Sequence, residues 1–331
     1  MYQDYFGLRE TPFNTNPDPH YLYMTKEIEE AIAGLVYGIQ TRTGFMTLIG
    51  EVGTGKTTLL NRLLEWLDEQ QIRASFLFNS RINSSQLFDF ILAEFGIAFE
   101  SKSKSQQLLQ LNHWLLERHR ANQTAVLIID EAQNLTYPVL EEIRLLTNLE
   151  TATAKLVQVI LAGQPELDEK LKLPQLRQLR QRITVRCTTS TLSRKQVHEY
   201  VAGRLRIAGA NEVPIFSEEA IDVVLQYSKG VPRVINLLCH HALIAGYADQ
   251  QRPIPPTVIE EIAHEFQLDE VEPIAPPGSL AISQDVYNSE SFLQSLGEAL
   301  SRFRANPTST PPARDRKQYS NLRLSSPLRQ P

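Results

Sequence analysis

A glycine-rich segment with one lysine and two threonines carries the clearest chemistry in this chain of 331 residues. It has the pattern G-x-x-x-x-G-K-[ST], in the residues Gly50, Glu51, Val52, Gly53, Thr54, Gly55, Lys56, Thr57 and Thr58. The apolar run 45–49 before it predicts a strand, and segment 59–64 after it has the spacing of a helix. Glycines let successive backbone N–H groups face one anion, and the helix N-terminus adds its positive end. The segment therefore predicts a phosphate-binding loop for a nucleoside triphosphate.

Two side chains of this phosphate loop (residues 50–58) have specific predicted roles. Lys56 would reach the β- and γ-phosphates, and the Thr57 hydroxyl would hold Mg²⁺. The alternative is a glycine-rich turn that happens to contain a lysine. The predicted strand and helix on either side argue against that alternative.

A pair of acidic residues supplies the second half of a predicted hydrolysis site. Asp130 and Glu131 follow the continuous apolar run 125–129, which is typical of a strand buried on both faces of a parallel sheet. At the carboxyl edge of that strand, Asp130 would hold Mg²⁺ through water, and Glu131 would act as general base on the attacking water. Many ordinary strands also end in acidic turns, so the pair gains its meaning from the phosphate loop upstream and from Ala132 and Gln133 downstream.

Two further polar residues are candidates for contact with the phosphates. Gln164 follows the apolar run 156–162, where its side chain would bind the γ-phosphate or the water, and an ordinary turn residue is the equal alternative. Arg233 follows Pro232 at the start of a predicted helix and would project back toward the phosphates. The alternative for Arg233 is an ordinary surface arginine.

Three arginines precede the fifth predicted strand: Arg177, Arg180 and Arg182. Spacing of three places Arg177 and Arg180 on one face of a helical turn. A guanidinium delivered to the γ-phosphate of a neighbouring subunit would neutralise charge that develops in the transition state. We expect at least one of the three to act in this way, and the alternative for each is a solvated basic face.

Alternating predicted strands and helices indicate an α/β fold with a parallel sheet and helices on both faces. Beyond Leu192 only helices are predicted, which indicates a small all-α lid domain. Four segments are predicted. Residues 1–44 form a Pro- and aromatic-rich segment and a helix, which pack on the nucleotide domain, and residues 45–192 form this nucleotide domain with its P-loop. Residues 193–268 form the helical lid, and residues 269–331 form a disordered Pro/Ser-rich tail.

The composition of the chain limits which binding partners and which cellular compartment we expect. The formal net charge of −5 does not favour obligate nucleic-acid binding, although it leaves a local basic patch open. Cys187 and Cys239 have no metal-like spacing and suit a reducing cytosol. We find no signal-peptide pattern and no apolar stretch of the ~20 residues that a transmembrane helix needs. We therefore expect a cytoplasmic protein, with peripheral attachment at the inner membrane left open.

Together these motifs resemble those of AAA+ ATPases. Further motifs make the chain similar to the ExeA/GspA family, and they lie at residues 5–8, 11–13, 17–19, 21–22, 44–45, 161–167 and 176–183. The match covers about residues 1–268. That family's ATPase serves type II secretion, and its relatives include ATPases associated with exopolysaccharide and exosortase loci. More distant transposition ATPases of the TnsC, TniB and MuB kind share the core but not the N-terminal motifs.

The resemblance implies a parallel-sheet P-loop AAA+ domain that binds ATP and Mg²⁺. It implies that Lys56 and Thr57 contact phosphate and Mg²⁺, that Asp130 contacts Mg²⁺, and that Glu131 is the base. By this likeness the active form is a ring or filament of identical subunits, with the sites between subunits.

The resemblance also implies roles for residues outside the phosphate loop. Gln164 would be the first sensor and Arg233 the second sensor. Arg182 would be the first candidate for the trans-acting finger, and Arg180 the next. The aromatic N-terminal segment would pack near the adenine.

The family's secretion proteins continue into a membrane-spanning helix and a periplasmic peptidoglycan-binding domain. Neither pattern is found in this sequence, so we expect a cytosolic ATPase that acts through protein partners.

Three functions are consistent with these residues. The first is an ATP-driven motor or switch for an envelope secretion, pilus or exopolysaccharide system, and the second is a DNA-associated regulator of transposition or replication. The third is a nucleotide-dependent scaffold with negligible turnover.

Segment 291–304 has helical amphipathic spacing, so the tail over 285–331 is a candidate partner-binding segment. A weak membrane-surface anchor and a disordered tail with a transient helix are the alternatives for that segment.

Overall fold

The computed structural model describes residues 1–78, 81–98, 103–211 and 213–268. A five-stranded parallel sheet lies at its centre, with strand order β2-β3-β4-β1-β5. The strands are β1 (Phe45–Gly50), β2 (Arg73–Leu77), β3 (Ala125–Ile129), β4 (Val157–Gly163) and β5 (Ile183–Thr189). The predicted tail, including its helix over 291–304, lies outside the described residues.

Twelve α-helices are found in the described part of the chain. In the nucleotide domain and before it these are α1 (Tyr2–Phe6), α2 (Lys26–Gln40), α3 (Lys56–Glu69), α4 (Ser84–Glu94), α5 (Lys104–Arg120), α6 (Tyr137–Leu146), α7 (Pro165–Lys172) and α8 (Arg177–Arg180). The lid consists of α9 (Arg194–Ile207), α10 (Glu218–Ser228), α11 (Pro232–Ala248) and α12 (Pro256–Glu265). The predicted fold class, a parallel α/β sheet with a small all-α lid, is confirmed.

The sheet is buried on both faces because successive side chains of a strand point in opposite directions. In β3, Val126 and Ile128 pack with α2 and α3 on one face, whereas Leu127 and Ile129 pack with α4, α5 and α6 on the other. All five residues of β3 and all seven of β4 are buried. This explains why β3 appears in the sequence as a continuous apolar run, and β4 as an apolar run interrupted only by the buried Gln158, rather than as alternating patterns.

The strand register brings three polar segments to one edge of the sheet. Ile49 of β1 lies opposite Gly163 of β4, and Ile129 of β3 lies opposite Leu161 of β4. The segments that follow β1, β3 and β4 therefore leave the sheet side by side. They are the phosphate loop, the acidic pair and Gln164.

The first 25 residues, which we call the N-terminal strap, divide between two hydrophobic cores. Phe6, Leu8 and Phe13 are buried in the core of the lid, whereas Leu22 and Met24 pack with α2 on the nucleotide domain. The sequence led us to place all of residues 1–44 on the nucleotide domain. The strap instead joins the two domains, because its early aromatic side chains fill space between the lid helices.

Among the residues that the structure describes, none of the helices combines the length and the apolar character that crossing a membrane requires.

Phe13 should be a main attachment point of the strap, because its side chain is 0% exposed and its ring lies 6.2 Å from that of Phe216. We expect Phe13→Ala to lower the free energy of unfolding by about 3–5 kcal/mol, measured by denaturant titration. Phe78→Ala is the matched control, because Phe78 is 55% exposed. An equal loss of stability in the two variants would contradict the role of Phe13.

Candidate nucleotide-binding site

The phosphate loop has the backbone shape of an anion cradle. Gly53 and Gly55 have φ values of 79° and 96°, in the left-handed region that favours glycine. Gly55 occupies the N-cap position of α3, and no side chain caps that helix. The first N–H groups of α3 are therefore available to an external acceptor, and the helix dipole favours an anion there.

Lys56 is buried inside this cradle. Its Nζ atom donates hydrogen bonds to the backbone oxygens of Gly50 and Glu51, at 2.7 and 2.9 Å. Burial lowers the pKa of Lys56, while the nearby charges of Glu131 and Asp130 act in the opposite direction. Phosphate oxygens are stronger acceptors for an ammonium than backbone carbonyls, so the residues present fit a triphosphate.

Thr57 and Asp130 form a pair of oxygen ligands beside the loop. The Thr57 hydroxyl donates to Asp130 Oδ2 at 2.9 Å, and Asp130 Oδ1 accepts from the N–H of Glu131 at 2.9 Å. Burial raises the pKa of Asp130, while these two hydrogen bonds act to lower it. No group of three or more His, Cys, Asp or Glu residues that could hold a metal is found in the described part of the chain. Two protein oxygens completed by phosphates and water are what Mg²⁺ usually receives, so this pair fits Mg²⁺.

Glu131 lies directly beside this pair, in a turn with a left-handed backbone (φ 51°). Its Oε2 atom accepts a hydrogen bond from Gln164 Nε2 at 3.0 Å and a second one from Gln133 Nε2. Glu131 also lines the cavity next to the phosphate loop. The structure therefore brings together Glu131 and Gln164, and it adds Gln133, for which no role was predicted from the sequence.

A cavity of about 240 Å³ opens beside the phosphate loop, between the strap and the lid. The strap contributes Tyr21 and Tyr23 to its lining, and the lid contributes Tyr200 of α9 and Arg233 of α11. The aromatic side chains and backbone on one side of the cavity suit a nucleoside. The anion cradle on the other side suits its phosphates. The strap therefore lines the cavity beside the phosphate loop, and its packing near an adenine stays a prediction.

A buried polar cluster, which was not predicted from the sequence, lines the same cavity. Arg204 Nε donates to the Pro12 oxygen at 2.6 Å, and Arg204 Nη1 donates to the Tyr200 hydroxyl at 2.6 Å. Tyr200 in turn donates to Asn236 Oδ1 at 2.9 Å. The guanidinium also lies over the ring of Tyr21, 4.5 Å from its centroid. The cluster joins the strap to the lid, and its signal in the sequence is an arginine on the apolar face of α9.

Arg233 lies where the lid meets the phosphate loop. Its backbone N–H donates to the Gly53 oxygen at 3.2 Å, and its side chain lines the cavity. A Cβ atom on Gly53 would lie 2.8 Å from Arg233 Cβ and 2.9 Å from Val231 Cγ1. Glycine is therefore required at position 53 for the close approach of α11 as well as for its backbone angle.

The three predicted finger candidates lie in or just after α8. Arg182 Nη1 donates to the Arg144 oxygen, to Thr147 Oγ1 and to Asn148 Oδ1, at 3.1, 2.7 and 2.8 Å. Arg182 therefore binds the C-terminal end of α6 in its own chain. Arg177 and Arg180 are exposed. The cavity lining includes none of the three, and their action on a neighbouring subunit stays a prediction.

Comparison with known proteins agrees with this geometry. The AAA domain family matches residues 39–171. Over 249 residues the chain is 44% identical to general secretion pathway protein A of Aeromonas hydrophila. That alignment covers 75% of this chain and 45% of the Aeromonas protein, so the chain spans less than half the length of this relative.

Solved structures show the same fold at low sequence identity. The ORC2 protein of Aeropyrum pernix has a TM-score of 0.58 at 15% identity, over 80% of this chain and 75% of that one. The Cdc6p protein of Pyrobaculum aerophilum also has a TM-score of 0.58, at 17% identity, over 74% of this chain and 70% of that one. The resemblance that the sequence motifs indicated is thus confirmed: the chain is an AAA-domain protein of the ExeA/GspA family.

Proposed function

We propose that the chain binds ATP with Mg²⁺, hydrolyses it to ADP and phosphate, and uses the cycle to drive or switch an envelope secretion or assembly system. One observation carries this proposal. A buried lysine, a Thr–Asp oxygen pair and a hydrogen-bonded glutamate lie along one sheet edge beside a single cavity. A phosphate-binding module alone would not need a glutamate held at that place.

Each residue has a defined task in this reaction. The ammonium of Lys56 exchanges its two backbone acceptors for phosphate oxygens, and the first N–H groups of α3 bind the same phosphates. Thr57 and Asp130 would hold Mg²⁺, and the ion would supply positive charge that neutralises the phosphates. Glu131 accepts a proton from the water whose oxygen bonds to the γ-phosphorus, while the bond from that phosphorus to the β-phosphate oxygen breaks.

Adenine is the base that the comparisons favour. The Aeropyrum pernix ORC2 protein, which has the same fold, was solved in ADPNP–ADP complexes. In the present chain the strap and the lid form the walls of the cavity next to the phosphate loop. We infer that the nucleoside lies against these walls, beside the phosphate loop.

Similarity to general secretion pathway protein A supports an envelope system as the process served. DNA is the alternative partner, because the Aeropyrum pernix ORC1 protein, solved in complex with DNA, shares the fold with a TM-score of 0.52 at 14% identity. Such a likeness extends to the fold alone, and the net charge of −5 does not favour DNA. Hydrolysis that rises steeply with added duplex DNA and falls with salt would decide for the alternative.

Self-assembly and the cellular location complete the proposal. Arg177 and Arg180 are exposed and are not among the residues that line the cavity of their own chain, which suits sites completed by a second subunit in a ring or filament. We propose that the assembly works in the cytoplasm, at or near the inner membrane, and that the tail over 285–331 binds its protein partner. Pull-down with and without that tail tests the last point.

The two charged residues at the centre of the site should have separable roles. Lys56→Ala should abolish ATP binding, because it removes the buried cation from the cradle. Glu131→Gln should bind ATP and keep assembly, yet lose turnover by about two orders of magnitude or more. Titration with a fluorescent ATP analogue and a phosphate-release assay measure the two effects.

Glu219→Gln is the matched control for the second variant, because Glu219 is an exposed carboxylate on α10. Wild-type turnover no faster than that of Glu131→Gln would indicate a scaffold without useful hydrolysis. Of the proposed function, only nucleotide binding would then remain.

Arg182 is our first candidate for the residue that acts on a neighbouring subunit. Arg182→Ala should lose hydrolysis alone and regain part of it when mixed with Lys56→Ala, because each variant supplies the part that the other lacks. Arg180→Ala and Arg177→Ala serve as parallel tests. Melting temperatures are compared as a control, since Arg182 also binds the end of α6. Rescue confined to the Arg180→Ala mixture would transfer the role to Arg180, and the absence of rescue in every mixture would contradict a trans-acting arginine.

A further inference from the structure

Gln133 lies between Glu131 and Gln164 at the carboxyl edge of the sheet, and its side chain forms a hydrogen bond with each of them. Its Nε2 atom donates to Glu131 Oε2, and its Oε1 atom accepts from the backbone N–H of Gln164 at 3.1 Å. The Gln164 side chain donates to the same Glu131 oxygen at 3.0 Å. The three residues therefore form a closed hydrogen-bonded triangle, in which Gln133 makes one contact as donor and one as acceptor.

The surroundings fix Gln133 in this position. Gly163, the last residue of β4, leaves the room that the side chain needs, because a Cβ atom there would lie 2.7 Å from Gln133 Oε1. Lys170 of α7 holds the backbone, since its Nζ atom donates to the oxygens of Gln133 and Leu135. The short helical turn Ala132–Asn134 also limits where the backbone can move. Gln133 is thus anchored from both β3 and β4.

We propose that Gln133 is a positioning residue for hydrolysis, which sets the orientation of the Glu131 carboxylate and couples it to Gln164. This inference rests on the proposed function, in which Glu131 accepts the proton of the attacking water. Gln133 itself touches neither water nor phosphate in this assignment. It acts through Glu131.

The chemistry of the side chain explains why glutamine suits this task. The contact with the carboxylate needs a donor, and the contact with the Gln164 N–H needs an acceptor, so one side-chain amide is required. A glutamate could not donate to Glu131 in its ionised form, and an asparagine is one methylene shorter. Fixed geometry matters because a displacement of ~1 Å in a reacting group lowers rates by about a hundredfold.

The triangle also couples the base to the γ-phosphate position. Gln164 follows β4, which lies between β1 with its phosphate loop and β3 with its acidic pair. When the Gln164 backbone moves, its hydrogen bond to Gln133 moves the Gln133 side chain, which in turn moves the Glu131 carboxylate. This connection remains even where the direct side-chain contact between Gln164 and Glu131 is lost. Gln133 therefore provides a second connection between the predicted first sensor and the base.

Gln133→Met is the sharpest variant for a test, because methionine keeps nearly the same length and volume but removes both hydrogen bonds. We expect kcat for ATP hydrolysis to fall about 10- to 100-fold, with the Kd for the ATP analogue changed less than about threefold. The melting temperature should stay near that of the wild type. Gln226→Met is the matched control, because Gln226 is an exposed glutamine on α10.

A purely structural role is distinguished by combining variants. If Gln133 acts through Glu131, then Gln133→Met should cause no further loss of single-turnover rate in the Glu131→Gln background. If Gln133 only supports the fold, the variant should lower the rate by the same factor in both backgrounds, and ATP affinity and melting temperature should fall with it.

The outcomes separate this inference from the proposed function. Wild-type protein that binds ATP without hydrolysing it would overturn the proposed function, and the inference with it. Wild-type protein that hydrolyses ATP, together with a Gln133→Met variant of equal kcat, would overturn the inference alone. A multiplicative loss in the Glu131→Gln background would also overturn it.

Discussion

The register of β4 between β1 and β3 is the constraint on which the rest of the site depends. The phosphate loop, the acidic pair and Gln164 each follow one of these three strands, and each strand is fixed by apolar side chains on both faces of the sheet. A slip of one residue in β4 would turn its core residues to the wrong face. It would also move Gln164 away from Glu131. Burial of the sheet and the geometry of the site are therefore set by the same pairing.

Electrostatics explains why this arrangement favours a charged ligand pair. Burial acts against the charged form of both Lys56 and Asp130, lowering the pKa of the lysine and raising that of the aspartate. A polyanion beside Lys56 and a divalent cation beside Asp130 would each counter that effect. Magnesium and a triphosphate supply both charges in one ligand. Such a ligand would offset the cost of burying the two side chains, which supports the proposed binding of ATP together with Mg²⁺.

The short motifs of this site could be predicted from the sequence, whereas the contacts that join the strap to the lid, and Gln133 to Gln164, could not. The phosphate loop and the acidic pair are short motifs that follow recognisable strands, so their placement needs only the rule that parallel strands end at one sheet edge. The contact between Arg204 and the Pro12 oxygen joins positions far apart in the chain, and no local pattern indicates it. The division of the strap between two cores likewise depends on which helices leave space for Phe13. For Gln133 the sequence offered only its place after the acidic pair, because its partner Gln164 follows another strand.

Coupling between the nucleotide and the lid follows from where the strap is anchored. Phe13 and the Arg204 contact hold its first part to the lid, while Leu22 and Met24 hold its last part to the nucleotide domain. Any rotation of the lid must therefore bend the segment between these anchors, and that segment lines the cavity. Arg233 adds a direct contact between the lid and the phosphate loop, through its N–H and the Gly53 oxygen. A ligand in the cavity would touch the loop, the lid and the bending segment at once, so any difference between the contacts of ATP and ADP would bias the position of the lid.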